Sequence, residues 1–312
     1  MVVIYLIPLV LSIVLNLFFQ RYFIKKNKFD EVVLRSSHTV LATRSGGVAI
    51  FATLFLIIVY YYIQANQFFD FSVLIPLGIL FTVGLYDDIY QVDFKLKFIF
   101  QLIVAKILVD QGIIIETLNG FLGIYEIPYL ISQILTILLI IFIINATNFS
   151  DGIDGLAISE SIKCLLIVII ASFNGKFLGY NFIFLLIIIA TLPLYYFNFK
   201  RNYKVFLGDS GSLLLGGVIS IALVVFINEL GSITSSTIST PLILLGCFTY
   251  PIIDTIYVVA KRIANGKSPF IADKSHIHHI IINKGVSHNT CLLIISGITG
   301  IFQILLLYYI TG

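Results

Sequence analysis

Charged side chains are scarce in this sequence. Asp, Glu, Lys and Arg make up 11% of its 312 residues and the mean hydropathy is +1.05, whereas an ordinary soluble domain has roughly 25% charged residues. This composition excludes a soluble domain and indicates an integral membrane protein. The formal net charge is only +3, and no basic face with interleaved aromatic residues is present, which excludes nucleic acid as a partner.

Cysteine is also rare. Cys164, Cys247 and Cys291 fall inside or at the edge of apolar runs, and their spacing is not that of metal ligands, so buried free thiols are expected. The sequence contains no Walker-type glycine loop, no serine triad and no cysteine nucleophile. Any chemistry must therefore be carried by other groups.

Long apolar runs, by contrast, are abundant. Runs of about 20 residues, enough to cross a hydrocarbon core of roughly 30 Å, recur along the chain. The first has no charged leader and no small-residue cleavage site, so it is expected to be a retained helix. We predict an all-α fold, a polytopic membrane helical bundle of about ten transmembrane helices, in a single domain that covers residues 1–312. The predicted spans are residues 2–20, 46–64, 71–86, 98–115, 127–147, 157–173, 179–197, 211–229, 238–260 and 290–310.

Polar residues gather on one side of this predicted bundle. The odd-numbered connections between spans carry 16 of the 19 Lys and Arg residues, so the positive-inside rule places them in the cytoplasm and both termini on the extracytoplasmic side. All five histidines fall in the same connections. We number these connections loops 1 to 5 and expect the active site on them. They also hold the aspartates Asp87, Asp88, Asp93, Asp151, Asp154 and Asp209.

Loop 2 contains "GLYDDIYQVDFKLKFIFQ". The adjacent carboxylates of Asp87 and Asp88 repel one another, and a divalent or phosphate-bound cation between them would offset that cost. A solvated acid pair is the alternative. Lys97 lies on the first turn of the next helix, with Gln101 one turn later, where an ammonium group could meet a phosphate. A snorkelling membrane anchor is the alternative for Lys97.

Loop 3 lies in "NATNFSDGIDGLA", residues 145–157, which follows an apolar run. Asn148, Asp151 and Asp154 recur every third residue, which stacks them along one face of a helical turn. Asn145 extends this row into the membrane boundary, and the interspersed glycines leave room for a ligand against the backbone. A helix cap could use one or two of these groups, but four in a row at the mouth of a bundle favour a binding site.

Loop 4 ends in "VFLGDSGSLLLGG". Asp209 comes just before an apolar span, at a helix N-terminus where anions and metal-phosphate groups are favoured. An N-cap role for Asp209 or Ser210 is the alternative. The flanking glycines and the nearby Asn198 and basic residues favour a phosphate site.

Loop 5 contains "SPFIADKSHIHHIIINKG". Its histidines, His276, His278 and His279, could suggest zinc, but no cysteine supports a zinc site and the spacing is not that of a helical pair four apart. Clustered imidazoles suit hydrogen bonds to phosphate or sugar hydroxyls. Loop 1, "RSSHTVLATRSGG", adds His38 and Arg44. The five loops together predict Mg²⁺-dependent phosphoryl transfer, in which a protein mainly positions groups and neutralises charge, with an amphiphilic donor or acceptor.

These loops resemble the polyprenyl-phosphate N-acetylhexosamine-1-phosphate transferase superfamily, glycosyltransferase family 4, from about His38 to Gly285. The matching motifs are "GLYDD", "NATNFSDGIDGLA", "VFLGDSGSLLLG" and "HIHH". The "HIHH" and "RSSHTV" runs are similar to the UDP-N-acetylglucosamine and O-antigen-initiating branch. The phospho-MurNAc-pentapeptide branch has three consecutive histidines followed by Phe-Glu, and their absence argues against a peptidoglycan role.

The resemblance implies roles for particular residues. Asp209 and Asn148 would bind Mg²⁺, with Mn²⁺ as the alternative ion. Asp87 and Asp88 would lie at the centre that holds the metal and the lipid phosphate. The implied catalytic residues are Asp87, Asp88, Lys97, Asp151 and Asp154, the last two of which would line the nucleotide pocket. The implied substrate-binding residues are His38, Arg44, Asn145, Asn198, His276, His278 and His279.

The resemblance also implies a reaction. An N-acetylhexosamine 1-phosphate, carrying GlcNAc or a 6-deoxy relative such as FucNAc or QuiNAc, would pass from a UDP-sugar to undecaprenyl phosphate with release of UMP, and so initiate a lipid-linked cell-envelope polysaccharide such as O-antigen. The protein would lie in the bacterial inner membrane, with its active site facing the cytoplasm. The sequence leaves the oligomeric state open between a homodimer and other states.

Three alternatives remain open at this point. One is a phospho-MurNAc-pentapeptide transferase. Another is a phosphatidyltransferase of the CDP-alcohol type, whose aspartate-arginine signature is missing. The third is a secondary transporter, because the intramembrane residues Lys106, Lys163 and Asp254 could mark an ion path, although no inverted repeat accompanies them.

Overall fold

The computed structural model describes residues 2–29, 41–64, 71–172, 178–233, 238–268 and 275–311. Within them the chain is helical, apart from turns and one pair of two-residue strands. The first half contains α1 (Val2–Lys25), β1 (Ala42–Thr43), α2 (Gly46–Ile63), a 3-10 turn (Phe71–Val73), α3 (Leu74–Tyr90), α4 (Phe94–Asp110) and α5 (Tyr129–Ser150). The second half contains α6 (Leu156–Ala171), α7 (Leu178–Asn198), β2 (Lys204–Val205), α8 (Gly208–Ile233), α9 (Thr240–Cys247), α10 (Thr249–Ala264), α11 (Ile277–Asn283) and α12 (His288–Thr311).

Seven helices of the described chain are long and apolar enough to cross a membrane: α1, α2, α3 with its 3-10 turn, α5, α7, α8 and α12. The bent pair α9 and α10 makes an eighth if the two form one span. α4 and α6 occupy the two other predicted spans, but their 17 and 16 residues fall short of the roughly 20 that a full crossing needs. The all-α membrane fold is confirmed, and the count of ten spans stays a prediction.

Helix α8 is the centre of the bundle. An 18-residue stretch of its membrane-crossing part, Gly208–Leu230, is buried along its whole length, and the helix packs against α2, α3, α5 and α6. A Cβ atom at Gly216 would lie 2.7 Å from the Cα of Ile144 on α5, and one at Gly217 would lie 2.5 Å from Leu80 on α3. Small residues allow helix backbones to approach this closely in membranes. The N-terminus of α8 is thereby held between its neighbours.

The ninth predicted span is broken, which the sequence analysis did not predict. α9 and α10 meet at Phe248 with a bend of 102°. Pro251 explains the break, because proline has no N–H to donate to the carbonyl of Cys247 and is tolerated in the first turn of the helix that follows. Gln303 on α12 donates its side-chain amide to that Cys247 carbonyl at 2.9 Å instead. The carbonyl of Cys247 is therefore paired despite the bend, and the free-energy cost of an unpaired carbonyl in lipid is avoided.

A pair of short strands joins loops 1 and 4. The predicted all-α fold contains no such strands. β1 and β2 run parallel, with Ala42 opposite Lys204. The pairing continues into α2, because the backbone amide of Gly47 donates to the carbonyl of Leu207 at 2.9 Å. The start of α2 is thereby fixed beside the start of α8.

Candidate active site

Lys97 joins two carboxylates at the end of the bundle where α4 and α8 begin. Helix α4 begins at Phe94 because the Asp93 side chain accepts a hydrogen bond from the Lys95 amide at 3.2 Å, an N-cap. Lys97 therefore lies in the first turn of α4. Its Nζ is 2.9 Å from Asp209 Oδ2 and 3.2 Å from Asp87 Oδ2. Asp87 of α3 and Asp209 of α8 thus both bind the ammonium group of Lys97 on α4.

Asp88 has a different role from its neighbour Asp87. Its side chain is fully buried, and its two carboxylate oxygens accept hydrogen bonds from the backbone amides of Asp209 and Ser210, both at 2.9 Å. These are orphan donors at the N-terminus of α8, where negative charge is also favoured by the helix dipole. Arg44 Nη1 lies 3.7 Å from the same carboxylate. The cap of α8 therefore comes from Asp88, and not from Asp209 or Ser210.

Three glycines allow this close arrangement. Gly208 has φ +71°, and a Cβ there would lie 2.7 Å from Asp88 Oδ2. A Cβ on Gly84 would lie 2.4 Å from the carbonyl oxygen of Asp209, and one on Gly47 would lie 2.2 Å from the amide nitrogen of Gly211. The backbones of α2 and α3 therefore touch the first turn of α8, which fixes Asp209 relative to Asp87.

The row of polar residues predicted in loop 3, which runs from Asn145 to Asp154, begins on α5. Asn145 donates its side-chain amide to Gln101 Oε1 at 2.8 Å, which joins α5 to α4. Asn148 donates its side-chain amide to Ser212 Oγ at 2.8 Å, which joins α5 to α8. The amide nitrogen of Asn148 is thus used, while no group in the described chain donates to its carbonyl oxygen. That oxygen is the atom of Asn148 available to a ligand.

Asp151 and Asp154 lie in the turn after α5. Asp154 forms an ion pair with Lys204 of β2. The Asp151 side chain has no hydrogen-bond or ion-pair partner among the described residues. Burial, followed by the negative charges of Asp209 and Asp88, raises the pKa of the Asp151 carboxyl well above its ordinary value, against the opposing effect of Arg44. The acidic residues of loops 2, 3 and 4 therefore share one electrostatic environment.

Side chains of α10 form hydrogen bonds with two of the loop 5 histidines. His276 Nδ1 is 2.7 Å from Asp254 Oδ2, and His278 Nδ1 is 2.8 Å from the hydroxyl of Tyr250. The rings of His276 and His278 stack with their centroids 5.3 Å apart, and His279 lies 4.4 Å from His278. The three histidines thus form one cluster on and just before α11.

His278 is buried against loop 3. Its side chain is enclosed, and a Cβ on Gly152 would lie 2.2 Å from its Nε2 atom. Burial, followed by the neighbouring His279 and His276, lowers the pKa of His278 to about 2. The ring is therefore neutral at physiological pH, and glycine at position 152 is required by its proximity.

The zinc alternative can be weighed against this geometry. Asp254, His276 and His278 do lie close enough together to share a metal ion. However, the Nδ1 atoms of both histidines already have hydrogen-bond partners, and Arg262 Nη2 lies 3.5 Å from His276 Nε2. A guanidinium at that distance opposes a second cation. The geometry is that of a hydrogen-bonded network.

A cavity of about 200 Å³ is lined by some of these groups. It lies between α4, α5, α8, α10 and the start of α11. Its polar lining comes from Lys97, Gln101, Asn145, Asn148, Arg262 and His276, and its apolar lining comes from Phe94, Phe98, Phe149 and Leu213. A larger groove of about 880 Å³ lies between α2, α3 and α4, and its lining contains no charged side chain. The smaller cavity is therefore the one suited to polar chemistry.

The remaining predicted site residues lie in different surroundings. Arg44 is beside the α8 cap, as described above. Asn198 is 3% exposed and donates its side-chain amide to the carbonyl of Val205 at 3.0 Å, so it supports β2, and its contact with a nucleotide stays a prediction. His38 lies outside the described residues.

The three intramembrane charges that suggested an ion path are separated into local pairs. Glu160 is fully buried, and Thr299 of α12 donates a hydrogen bond to it at 3.1 Å. Each of the three has its own partner: Lys106 pairs with Asp110, Lys163 with Glu160 at 2.8 Å, and Asp254 with His276. Such pairs do not line a common path.

Sequence reasoning missed the role of α10. Tyr250, Asp254, Val258 and Arg262 are spaced four apart and all are buried, so they form one face of the helix. The sequence alone marks Asp254 as an intramembrane charge and Arg262 as one of the 16 basic residues in the odd-numbered connections. The four-residue spacing of these side chains is the sequence pattern that indicates a shared helix face.

Comparisons with known proteins identify a family. Residues 70–227 match the model of glycosyl transferase family 4. The chain is 32% identical to a probable undecaprenyl-phosphate N-acetylglucosaminyl 1-phosphate transferase of Bacillus subtilis, over 97% of this chain and 83% of that protein. It is 30% identical to an undecaprenyl-phosphate alpha-N-acetylglucosaminyl 1-phosphate transferase of Escherichia coli, over 93% and 79%. A decaprenyl-phosphate N-acetylglucosaminephosphotransferase of Mycolicibacterium smegmatis is 31% identical, over 72% and 59%.

Proposed function

The chain belongs to glycosyl transferase family 4, and from this premise we propose that it transfers an N-acetylhexosamine 1-phosphate from a UDP-sugar to undecaprenyl phosphate. GlcNAc is the proposed sugar, because the similar proteins of B. subtilis and E. coli are named for it. The product would initiate a lipid-linked cell-envelope polysaccharide such as O-antigen. The proposed location is the bacterial inner membrane, with the active site facing the cytoplasm.

One observation carries this proposal. The Lys97 ammonium group, bonded to both Asp209 and Asp87, lines a cavity together with Asn148, Arg262 and His276. Cations and hydrogen-bond donors placed beside carboxylates suit phosphoryl transfer, where a protein mainly positions anionic reactants and screens their charge. The apolar part of the same lining suits a lipid substrate.

We propose Mg²⁺ as the cofactor, with Mn²⁺ as the alternative, held by Asp209 and Asn148. These residues fit such an ion: Asp209 provides a carboxylate 2.9 Å from the Lys97 ammonium group, which lines the cavity, and the carbonyl oxygen of Asn148 is left available by its bond to Ser212. Oxygen ligands of these two kinds are the ones that Mg²⁺ prefers. When bound, the ion would screen the repulsion between the two phosphate groups.

In the proposed step, an oxygen of the lipid phosphate attacks the phosphorus that carries the sugar. A new phosphoanhydride bond forms, the bond from that phosphorus to the bridging oxygen breaks, and UMP leaves with the electron pair. Lys97 orients Asp209 and Asp87 and donates to phosphate oxygens. A phosphate monoester has a second pKa of about 6 and is largely ionised at neutral pH, so Asp87 is needed less as a base than Asp209 is as a ligand.

The test is UMP release by purified protein supplied with undecaprenyl phosphate, UDP-GlcNAc and Mg²⁺. Asp209→Asn is expected to lower the rate by at least about 100-fold, the scale on which charge-stabilising groups act, and Asp87→Asn by less. Asp110→Asn is the matched control, because this exposed carboxylate at the other end of α4 also pairs with a lysine. Release that requires neither the lipid phosphate nor Mg²⁺, or an unimpaired Asp209→Asn, would refute the proposal.

A further inference from the structure

Helix α10 holds His276 through one buried carboxylate. Asp254 is fully buried and uses both oxygens: Oδ2 faces His276 Nδ1 at 2.7 Å, and Oδ1 accepts a hydrogen bond from the Ile277 amide at 2.7 Å. Ile277 is the first residue of α11. Asp254 thus binds the ring of His276 and the start of the helix that follows it.

This contact determines the tautomer of the ring. A carboxylate can only accept, so the proton must lie on Nδ1 of His276. Nε2 then faces away from Asp254, toward Arg262 Nη2 at 3.5 Å and the cavity that both residues line.

A second set of contacts holds the other side of this network. The Arg262 guanidinium lies 5.5 Å from the ring centroid of Phe149, a cation–π distance. The His276 ring meets the same phenyl ring edge-on, with centroids 5.5 Å apart. Phe149 also lines the cavity, one residue beyond the proposed metal ligand Asn148. The network is therefore continuous with the proposed site.

From this geometry we infer that Asp254 is a positioning residue for the transfer reaction. It acts through His276, whose orientation and tautomer it fixes so that Nε2 accepts from Arg262 Nη2 and holds the guanidinium where its other N–H groups meet a phosphate oxygen of the substrate. This inference rests on the proposed function. The phosphate belongs to the sugar nucleotide or to the lipid, and the kinetics below distinguish the two.

Asp254→Asn separates the two bonds of the carboxylate. The carbonyl oxygen of asparagine can still accept from the Ile277 amide, but its NH₂ group donates to Nδ1 and moves the ring proton to Nε2. Nε2–H would then oppose the N–H of Arg262. We expect kcat/KM to fall by about 10- to 100-fold, the usual loss when the partner that orients a functional histidine is removed. A raised KM for UDP-GlcNAc assigns the phosphate to the nucleotide, and a raised KM for undecaprenyl phosphate assigns it to the lipid.

Two matched variants separate positioning from structure. Ile277→Pro removes the backbone N–H from which Asp254 accepts and keeps an apolar side chain against the neighbouring buried cluster. Proline is favoured at the first position of a helix, so activity should stay within about twofold of wild type, well short of the loss in Asp254→Asn. Thr255→Val replaces the adjacent hydroxyl on α10, which is buried and has no hydrogen-bond partner among the described residues, and should also retain activity. If Ile277→Pro is as impaired as Asp254→Asn, the capping bond is what matters and the inference is overturned.

A double-mutant cycle and a spectroscopic measurement complete the test. Asp254→Asn should have no further effect in a His276→Ala background, whereas an equal loss in both backgrounds contradicts action through the ring. Nitrogen-15 NMR of labelled histidine should show the His276 proton on Nδ1 in the wild type and on Nε2 in Asp254→Asn, and an unchanged tautomer would overturn the inference. A wild-type protein without transferase activity would refute the proposed function instead, and the spectra would still decide whether Asp254 fixes the ring.

Discussion

A single methyl group at Gly84 is expected to disrupt the site without touching any polar side chain. The added Cβ would lie 2.4 Å from the carbonyl oxygen of Asp209 and 2.6 Å from the Cα of Ser210. Both are backbone atoms, so no side-chain rotation can relieve the contact. Ordinary carbon contacts are roughly 3.5–4.0 Å, and α3 and the first turn of α8 must therefore separate by about 1 Å.

That separation moves Asp209 away from Asp87 while Lys97 remains on α4. The ammonium group cannot keep both of its bonds, at 2.9 and 3.2 Å. Misplacing a reacting group by about 1 Å can cost on the order of 100-fold in rate, and an overpacked contact costs about 1–3 kcal/mol in stability. Gly84→Ala should therefore fold with a lower melting temperature and release UMP about 100-fold more slowly.

Gly78→Ala is the matched control on the same helix. A Cβ at Gly78 would meet only Phe51, at an ordinary distance of 3.7 Å, and alanine is a better helix former than glycine by about 0.5–1 kcal/mol. This variant should be as active as the wild type and at least as stable. If Gly84→Ala were as active as Gly78→Ala, the contact between α3 and α8 would not determine the geometry of the site.

Three further predictions concern stability and are measured by thermal unfolding in detergent. Asp88→Ala strips the acceptor from two backbone amides of α8 and should cost about 1–2 kcal/mol, and Asp88→Asn less. Lys163→Met should cost about 3–5 kcal/mol because it leaves the buried Glu160 unpaired, and adding Glu160→Gln should restore most of this; no recovery would contradict a buried pair. Burial lowers the pKa of His278 to about 2 in the folded protein, so below pH 6.5 the unfolded chain binds more protons than the folded one. The free energy of unfolding should therefore fall by up to about 1.4 kcal/mol for each pH unit of acidification. His278→Gln should make this dependence on pH less steep.

Much of the architecture follows from the apolar runs, because the cost of exposing a backbone to lipid leaves helices as the simplest way to span a membrane. The break between α9 and α10 was missed since Pro251 lies in a run that is apolar throughout. A proline in a membrane span is tolerated only when another group satisfies the freed carbonyl. That group, Gln303, lies more than 50 residues away on α12, where local sequence gives no indication of it.

The residues of the site were found more easily than their roles. Clusters of acids and amides at span ends are visible in a sequence because they are expensive at a membrane boundary. Which of two adjacent aspartates faces a lysine and which caps a helix depends on the position of α8, a long-range contact. Asp87 and Asp88 therefore looked alike. Asp254 was misinterpreted for the same reason, because its partner His276 is brought to it only by the fold.

The central position of α8 has a consequence for biogenesis. Asp88 and the strand pair both use partners near the start of α8, and chains are synthesised from the N-terminus. Until Gly208 and the residues before it leave the ribosome, Asp88 has no amides to accept from and Ala42 has no strand to join. The hydrogen bonds from the α8 amides to Asp88 and the pairing of β1 with β2 therefore form only after β2 and the start of α8 have been made. Folding of the site is thus tied to one late event in synthesis, and a chain that stops before α8 should be recognised as incomplete by quality-control proteases.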